Sequence, residues 1–166
     1  MVTAKNTARI KDRRRLRFDT PDEALQEAER LMALEASGRL EALGNWTLGQ
    51  ALGHLATWIG FSYTKPPLPP PPLPIRLILR LLRRRIIYGA MPAGVKVRGA
   101  ADGTVGTELM STSDGWARFE SAWQRLVREP PSEPSAAFGR LTHEQAIHLN
   151  LRHAELHLGF FREKTA

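Results

Sequence analysis

Histidine is the residue type in this chain best suited to chemistry, and its spacing is informative. His153 and His157 stand four apart in HEQAIHLNLRHAELHLGFF. On a helix that spacing sets two side chains about 40° apart and one turn along the axis. Two imidazoles so placed can ligate a single ion. Ala146, Leu149, Leu156 and Phe160 fall on the same side, which turns the pair toward the core. A third ligand must come from another element. His54, in the middle of WTLGQALGHLATWIG, shares a face with Ala51, Trp58 and Phe61 that borders an apolar stripe. The two remaining histidines serve poorly: His148 lies about 140° around the helix from His153, and His143 about 15 Å away along its axis. A single core histidine is more often a hydrogen-bonded packing residue than a ligand. Two side by side on an apolar stripe are costly, however, unless something accepts their polar nitrogens.

The spacing therefore points to one divalent ion on His54, His153 and His157. Three neutral imidazoles leave one or more coordination positions open, which is the catalytic pattern, and imidazole suits nickel, zinc and iron. Such an ion lowers the pKa of a bound water or thiol. A zinc-protease reading fails, because HAELH places Glu155 third in the pentad where H-E-x-x-H needs it second. No general base is assignable. Tyr63, Glu108 and Asp114 stand near helix ends or in a loop, Gln50 and Trp58 share the His54 face, and Trp46, Trp116 and Trp123 read as packing.

The elements that must position these residues are mainly helices. Thr20, Pro21 and Glu23 start a first helix that ends before Gly38. Thr47 and Gln50 form a capping box for a second, expected to last to about Tyr63. KPPLPPPPLP, residues 65–74, is a stiff polyproline spacer. Residues 75–88 have helical periodicity, with Arg76, Arg80, Arg83 and Arg84 on one side and Ile75, Ile78, Leu79, Leu82 and Ile86 on another. Gly89 to Thr112 reads as loop with room for a short strand pair. A further helix is expected over Asp114 to Arg128, and a last one from the Thr142 cap to about Lys164. The chain divides into a basic flexible arm, 1–17, and a single helical domain, 18–164.

Composition narrows the setting. The 166 residues are 42% apolar, enough for one ordinary core. With no cysteine, disulfides, thiolate metal sites and cysteine nucleophiles are excluded. The N-terminal stretch lacks the apolar segment of a secretion signal, so a cytoplasmic location is expected. The net charge of +7 is concentrated in Lys11–Arg17 and Arg76–Arg85. A second class of function follows from the latter: Arg76, Arg80, Arg83 and Arg84 could meet an anionic membrane or, with Arg13, Arg14 and Arg15, a nucleic acid. No nucleic-acid reading motif is present, and the aromatics fall on core stripes. The plain alternative is a bundle helix with a solvated basic face.

Three stretches, NWTLGQALGHLATWI, YGAMPAGVKV and FGRLTHEQAIHLNLRHAELHLGFF, resemble the DinB/YfiT-like superfamily of metal-binding four-helix bundles, and within it a branch of uncharacterised function. The similarity runs from about Arg17 to Phe161. It implies an all-α fold, a DinB-like four-helix bundle with an extra basic helix and a Pro-rich spacer. It also implies a metal on one histidine of the second helix and two of the last, here His54, His153 and His157. Characterised relatives include thiol-dependent S-transferases, so a small thiol cosubstrate and an electrophilic small-molecule substrate are implied. Metal-assisted hydrolysis is the competing chemistry, and superfamily members often form homodimers. The chain departs from the branch at Leu156 and Asn150, where members often carry further histidines.

Overall fold

Two reciprocal caps start the two helices that carry the histidines. The Thr47 hydroxyl accepts from the Gln50 N–H while the Gln50 side chain accepts from the Thr47 N–H, and α2 (Leu48–Gly60) follows. Thr142 and Gln145 repeat the arrangement at the start of α6 (His143–Leu158). Each box satisfies two backbone donors that a helix start leaves without partners. The computed structural model describes residues 5–100 and 103–165. The other long helices are α1 (Pro21–Ala36), capped by Thr20, and α5 (Thr112–Arg128), capped by Ser111 and so begun two residues before the expected Asp114.

These four helices share one core, in which Leu31, Leu52, Leu55, Phe119, Trp123 and Leu151 are fully buried. The closest crossing is between α2 and α5, and glycine makes it possible. A Cβ on Gly115 would stand 2.5 Å from the Gly49 carbonyl oxygen, so the two backbones meet where neither carries a side chain. The tight crossing helps bury α2 along much of its length, including His54 at its middle.

The fold is mostly helical, but the all-α expectation needs one correction. The last helix ends at Leu158, not near Lys164, and Phe161–Glu163 forms strand β2, antiparallel to β1 (Leu40–Ala42). Ala42 pairs with Phe161, whose side chain is buried. Three residues are too few for alternation to separate a strand from the end of a helical pattern. Gly159 makes the turn, and the chain at Arg14 passes directly over it: the Arg14 N–H donates to the Gly159 carbonyl at 2.9 Å. A Cβ on Gly159 would lie 2.7 Å from the Arg14 carbonyl oxygen. Ile10 and Leu16 add apolar contacts from the same N-terminal stretch. The 89–112 loop contains no strand among its described residues.

The basic helix is also broken. Leu82 interrupts it, leaving α3 (Leu73–Leu81) and α4 (Arg83–Tyr88). Because α3 opens at Leu73, it takes in the last two residues of the proline spacer, with Pro74 in its first turn where the missing N–H costs nothing. The surface of this segment carries a solvated basic face, with Arg80, Arg84 and Arg85 exposed, and an exposed apolar line as well. α4 is tied down by the buried Ile87 and by Tyr88, whose ring lies 4.9 Å from that of His148. Along α3, Leu73, Leu77 and Leu81 are exposed, while Arg76 is half-buried. Among the described residues, no helix is long and apolar enough to cross a membrane.

Candidate metal centre

His54 enters the site from α2 and is 1% exposed; His153 and His157 enter from α6 and are half-buried. One ligand nitrogen from each can be chosen so that all three lie within 4.8 Å of one another. The Nε2 atoms of His54 and His153 are 3.3 Å apart. Two imidazole nitrogens bound to one tetrahedral ion at about 2.0–2.1 Å would be separated by about 3.3–3.4 Å. That pair already has the required spacing. The three histidines could hold a metal ion.

The orientation of His54 is fixed from behind. Its Nδ1 lies 2.8 Å from the Val105 carbonyl oxygen. A carbonyl only accepts, so Nδ1 carries the proton and the Nε2 lone pair faces His153. Val105 reaches this position because Gly106 follows it with φ +74°, where a Cβ would stand 2.8 Å from the Thr57 side chain. Gln50 secures the same segment by donating its side-chain N–H to the Thr107 carbonyl at 3.0 Å. One glutamine thus caps α2 and anchors the loop that orients His54.

The electrostatics favour neutral imidazoles. Burial lowers the His54 pKa to about 4, against the opposing effects of the Val105 hydrogen bond and the Glu108 charge. Burial likewise holds His153 and His157 well below the ordinary histidine value, reinforced for His153 by His54 and for His157 by His153, His54 and Arg13. All three are uncharged at neutral pH, the form that binds a cation.

Two tryptophans wall the cluster. Trp46 stacks on His157, with ring centroids 5.0 Å apart and planes at 13°, and lies 4.7 Å from His54. Trp58 stands edge-on to His153 at 5.6 Å. The Trp58 Nε1–H is buried and has no hydrogen-bond acceptor among the described residues. Of these two, the sequence places Trp58 on the His54 face, whereas Trp46 reads there as packing. The signal for Trp46 was its place directly before the Thr47 cap, from which a large ring can reach back along α2.

The other residues singled out in the sequence lie elsewhere. His148 faces Tyr88 and is 3.8 Å from Glu144, and His143 contacts the Leu126 carbonyl. Glu155 accepts from the Phe18 N–H at 2.6 Å and pairs with Arg152 at 3.0 Å, contacts that tie α6 to the chain at Phe18. The Tyr63 hydroxyl donates to the Glu129 carbonyl at 2.7 Å, and Asp114 hydrogen-bonds the Ser111 cap of α5. Asn150 spends its amide on the Ala146 carbonyl within α6. Trp123 is core and Trp116 packs against it.

Fold and site together define a mostly helical protein with a three-histidine cluster able to take a metal. The chain belongs to the family described as Protein of unknown function (DUF1569), which matches residues 10–164. No curated protein and no solved structure matches it.

Proposed function

We propose that this protein is a DinB-like four-helix bundle, built on α1, α2, α5 and α6, that holds nickel, zinc or iron on His54, His153 and His157 and acts as a thiol-dependent S-transferase. The observation that carries the metal reading is the convergence of three neutral imidazoles from two helices, one with its ligand lone pair fixed by Val105. The step to thiol transfer rests on the resemblance described above, since fold alone does not fix function. When bound, the ion supplies Lewis acidity that favours the anionic form of a small thiol or of water. The chain's own residues do the rest. Val105 holds the His54 proton on Nδ1, and Trp46 and Trp58 restrict ring rotation and keep water from that side of the cluster. The unpaired Trp58 N–H is a donor available to a polar atom of the substrate, since a buried donor left unsatisfied is costly.

Cobalt substitution followed by addition of a small thiol tests the reading. A new sulfur-to-metal charge-transfer band, absent in His153→Ala, supports thiol binding at the site. If the cobalt spectrum ignores thiols while ester or amide cleavage follows cobalt content, the chemistry is hydrolytic.

A further inference from the structure

The side chains most at odds with their surroundings lie away from the histidines. Nine large hydrophobics are exposed among the described residues, and six of them fall within residues 73–82. Leu73, Leu77 and Leu81 are 70%, 65% and 85% exposed. They stand four apart, so they form one line along α3. Ile78, 55% exposed, widens it. Isolated surface leucines are ordinary, whereas a contiguous apolar line on a helix marks a contact surface.

The charge around this line says what it contacts. Residues 64–100 contain eight lysines and arginines and no aspartate or glutamate. Arg80, Arg84 and Arg85 are exposed beside or just beyond the leucines, while Arg83 is directed to the Arg140 carbonyl. An apolar strip bordered by cations matches the boundary between phosphate headgroups and acyl chains. A second copy docked through the same face would be a poor occupant, because it would set two arginine clusters against each other with no acid in either segment. Nucleic acid would leave the leucines unused, and α3 holds no aromatic on which a base could stack.

We propose that α3 and the start of α4 dock this protein on an anionic membrane, with Leu73, Leu77 and Leu81 entering the headgroup–acyl boundary and Arg80 and Arg84 on lipid phosphates. The nine residues of α3 make a rod of about 14 Å, far short of the roughly 30 Å hydrocarbon core. The helix lies in the interface and does not cross it. The break at Leu82 lets α3 present its apolar side while Ile87 keeps α4 fixed to the body. The polyproline stretch, residues 65–74, is stiff and stands between α2 and the body of α3 in the chain. None of this depends on the histidine site.

The test is co-sedimentation of the full chain with phosphatidylcholine vesicles, with and without phosphatidylserine. Binding is expected only with phosphatidylserine, and it should fall by on the order of tenfold or more as salt shortens the screening length from about 10 Å at 0.1 M to about 3 Å at 1 M. The double variant Leu77→Glu, Leu81→Glu should lose binding by a similar factor while keeping wild-type melting behaviour and circular dichroism, because both leucines are exposed. Arg80→Glu, Arg84→Glu should also lose it. Equal binding by the leucine variant, or no wild-type binding at low salt, would overturn the proposal. So would a wild-type dimer that the leucine variant abolishes, without vesicle association, since the occupant would then be a second copy.

Discussion

The histidine cluster and α3 are both built from helix and both carry side chains that look misplaced, yet opposite forces govern them. In the cluster, polar rings lie among apolar neighbours, and burial keeps them uncharged and ready for a cation. On α3, apolar side chains lie in water among cations, and nothing in the described chain covers them. The cluster is assembled by four separate stretches: α2, α6, the Val105 loop and the Trp46 turn. α3 depends on its own backbone and on a few contacts through α4. Residues held by many distant segments are sensitive to any change in packing, while residues held locally are free to meet something outside the chain.

The sharpest way to test that contrast is to make the same substitution in both places. Leu52→Ala, in the fully buried core on the helix that carries His54, should cost about 2–5 kcal/mol of stability by the usual large-to-small penalty. Leu81→Ala, at 85% exposure, should stay within about 0.5 kcal/mol. Denaturant melts of the two variants read both values; equal effects would break the comparison.

Acid should act on the cluster next. In the metal-free protein the unfolded chain protonates a histidine near its ordinary pKa of about 6.5, while folded His54 resists until about 4. Between those values the unfolded state binds more protons, so the His54 contribution to stability is lost as pH falls through that window and changes no further below it. The His54 contribution is roughly 3 kcal/mol. His54→Gln should make this part of the pH profile shallower, with His153 and His157 supplying the slope that remains, and bound metal should shift it to lower pH. A profile unchanged by the substitution would contradict the electrostatic account of the site.

The smallest effect tests the helix that delivers two of the three ligands. Thr142→Ala removes one side of the capping box of α6 and should cost about 1 kcal/mol. The fall in melting temperature should be measurable with the histidine geometry intact, because the cap stands three turns from His153. A loss of metal binding larger than the loss of stability would show that the cap also positions the site.

Much of this arrangement was legible in the sequence, for physical reasons. Both capping boxes and the periodicity of the long helices are local signals, and they place His54, His153 and His157 on inward faces before any tertiary contact is known. The elements that complete the cluster are not local. Val105 reaches His54 only because a left-handed glycine lets the loop press against Thr57, and Trp46 reaches His157 only across the gap between α2 and α6. Strand β2 is decided by its pairing with β1, which three residues cannot announce alone. The same limit applied to α3: periodicity identified an amphipathic helix but not which of its sides the body would leave exposed, and the break at Leu82 had no proline or glycine to mark it.

The most direct test of the central claim is elemental analysis of the purified full-length protein beside the double variant His153→Ala, His157→Ala. About one nickel, zinc or iron per chain, absent from a variant that keeps its helical content, is the expected result. A wild-type protein that takes up no metal even after reconstitution would contradict it and leave the three histidines as packing residues.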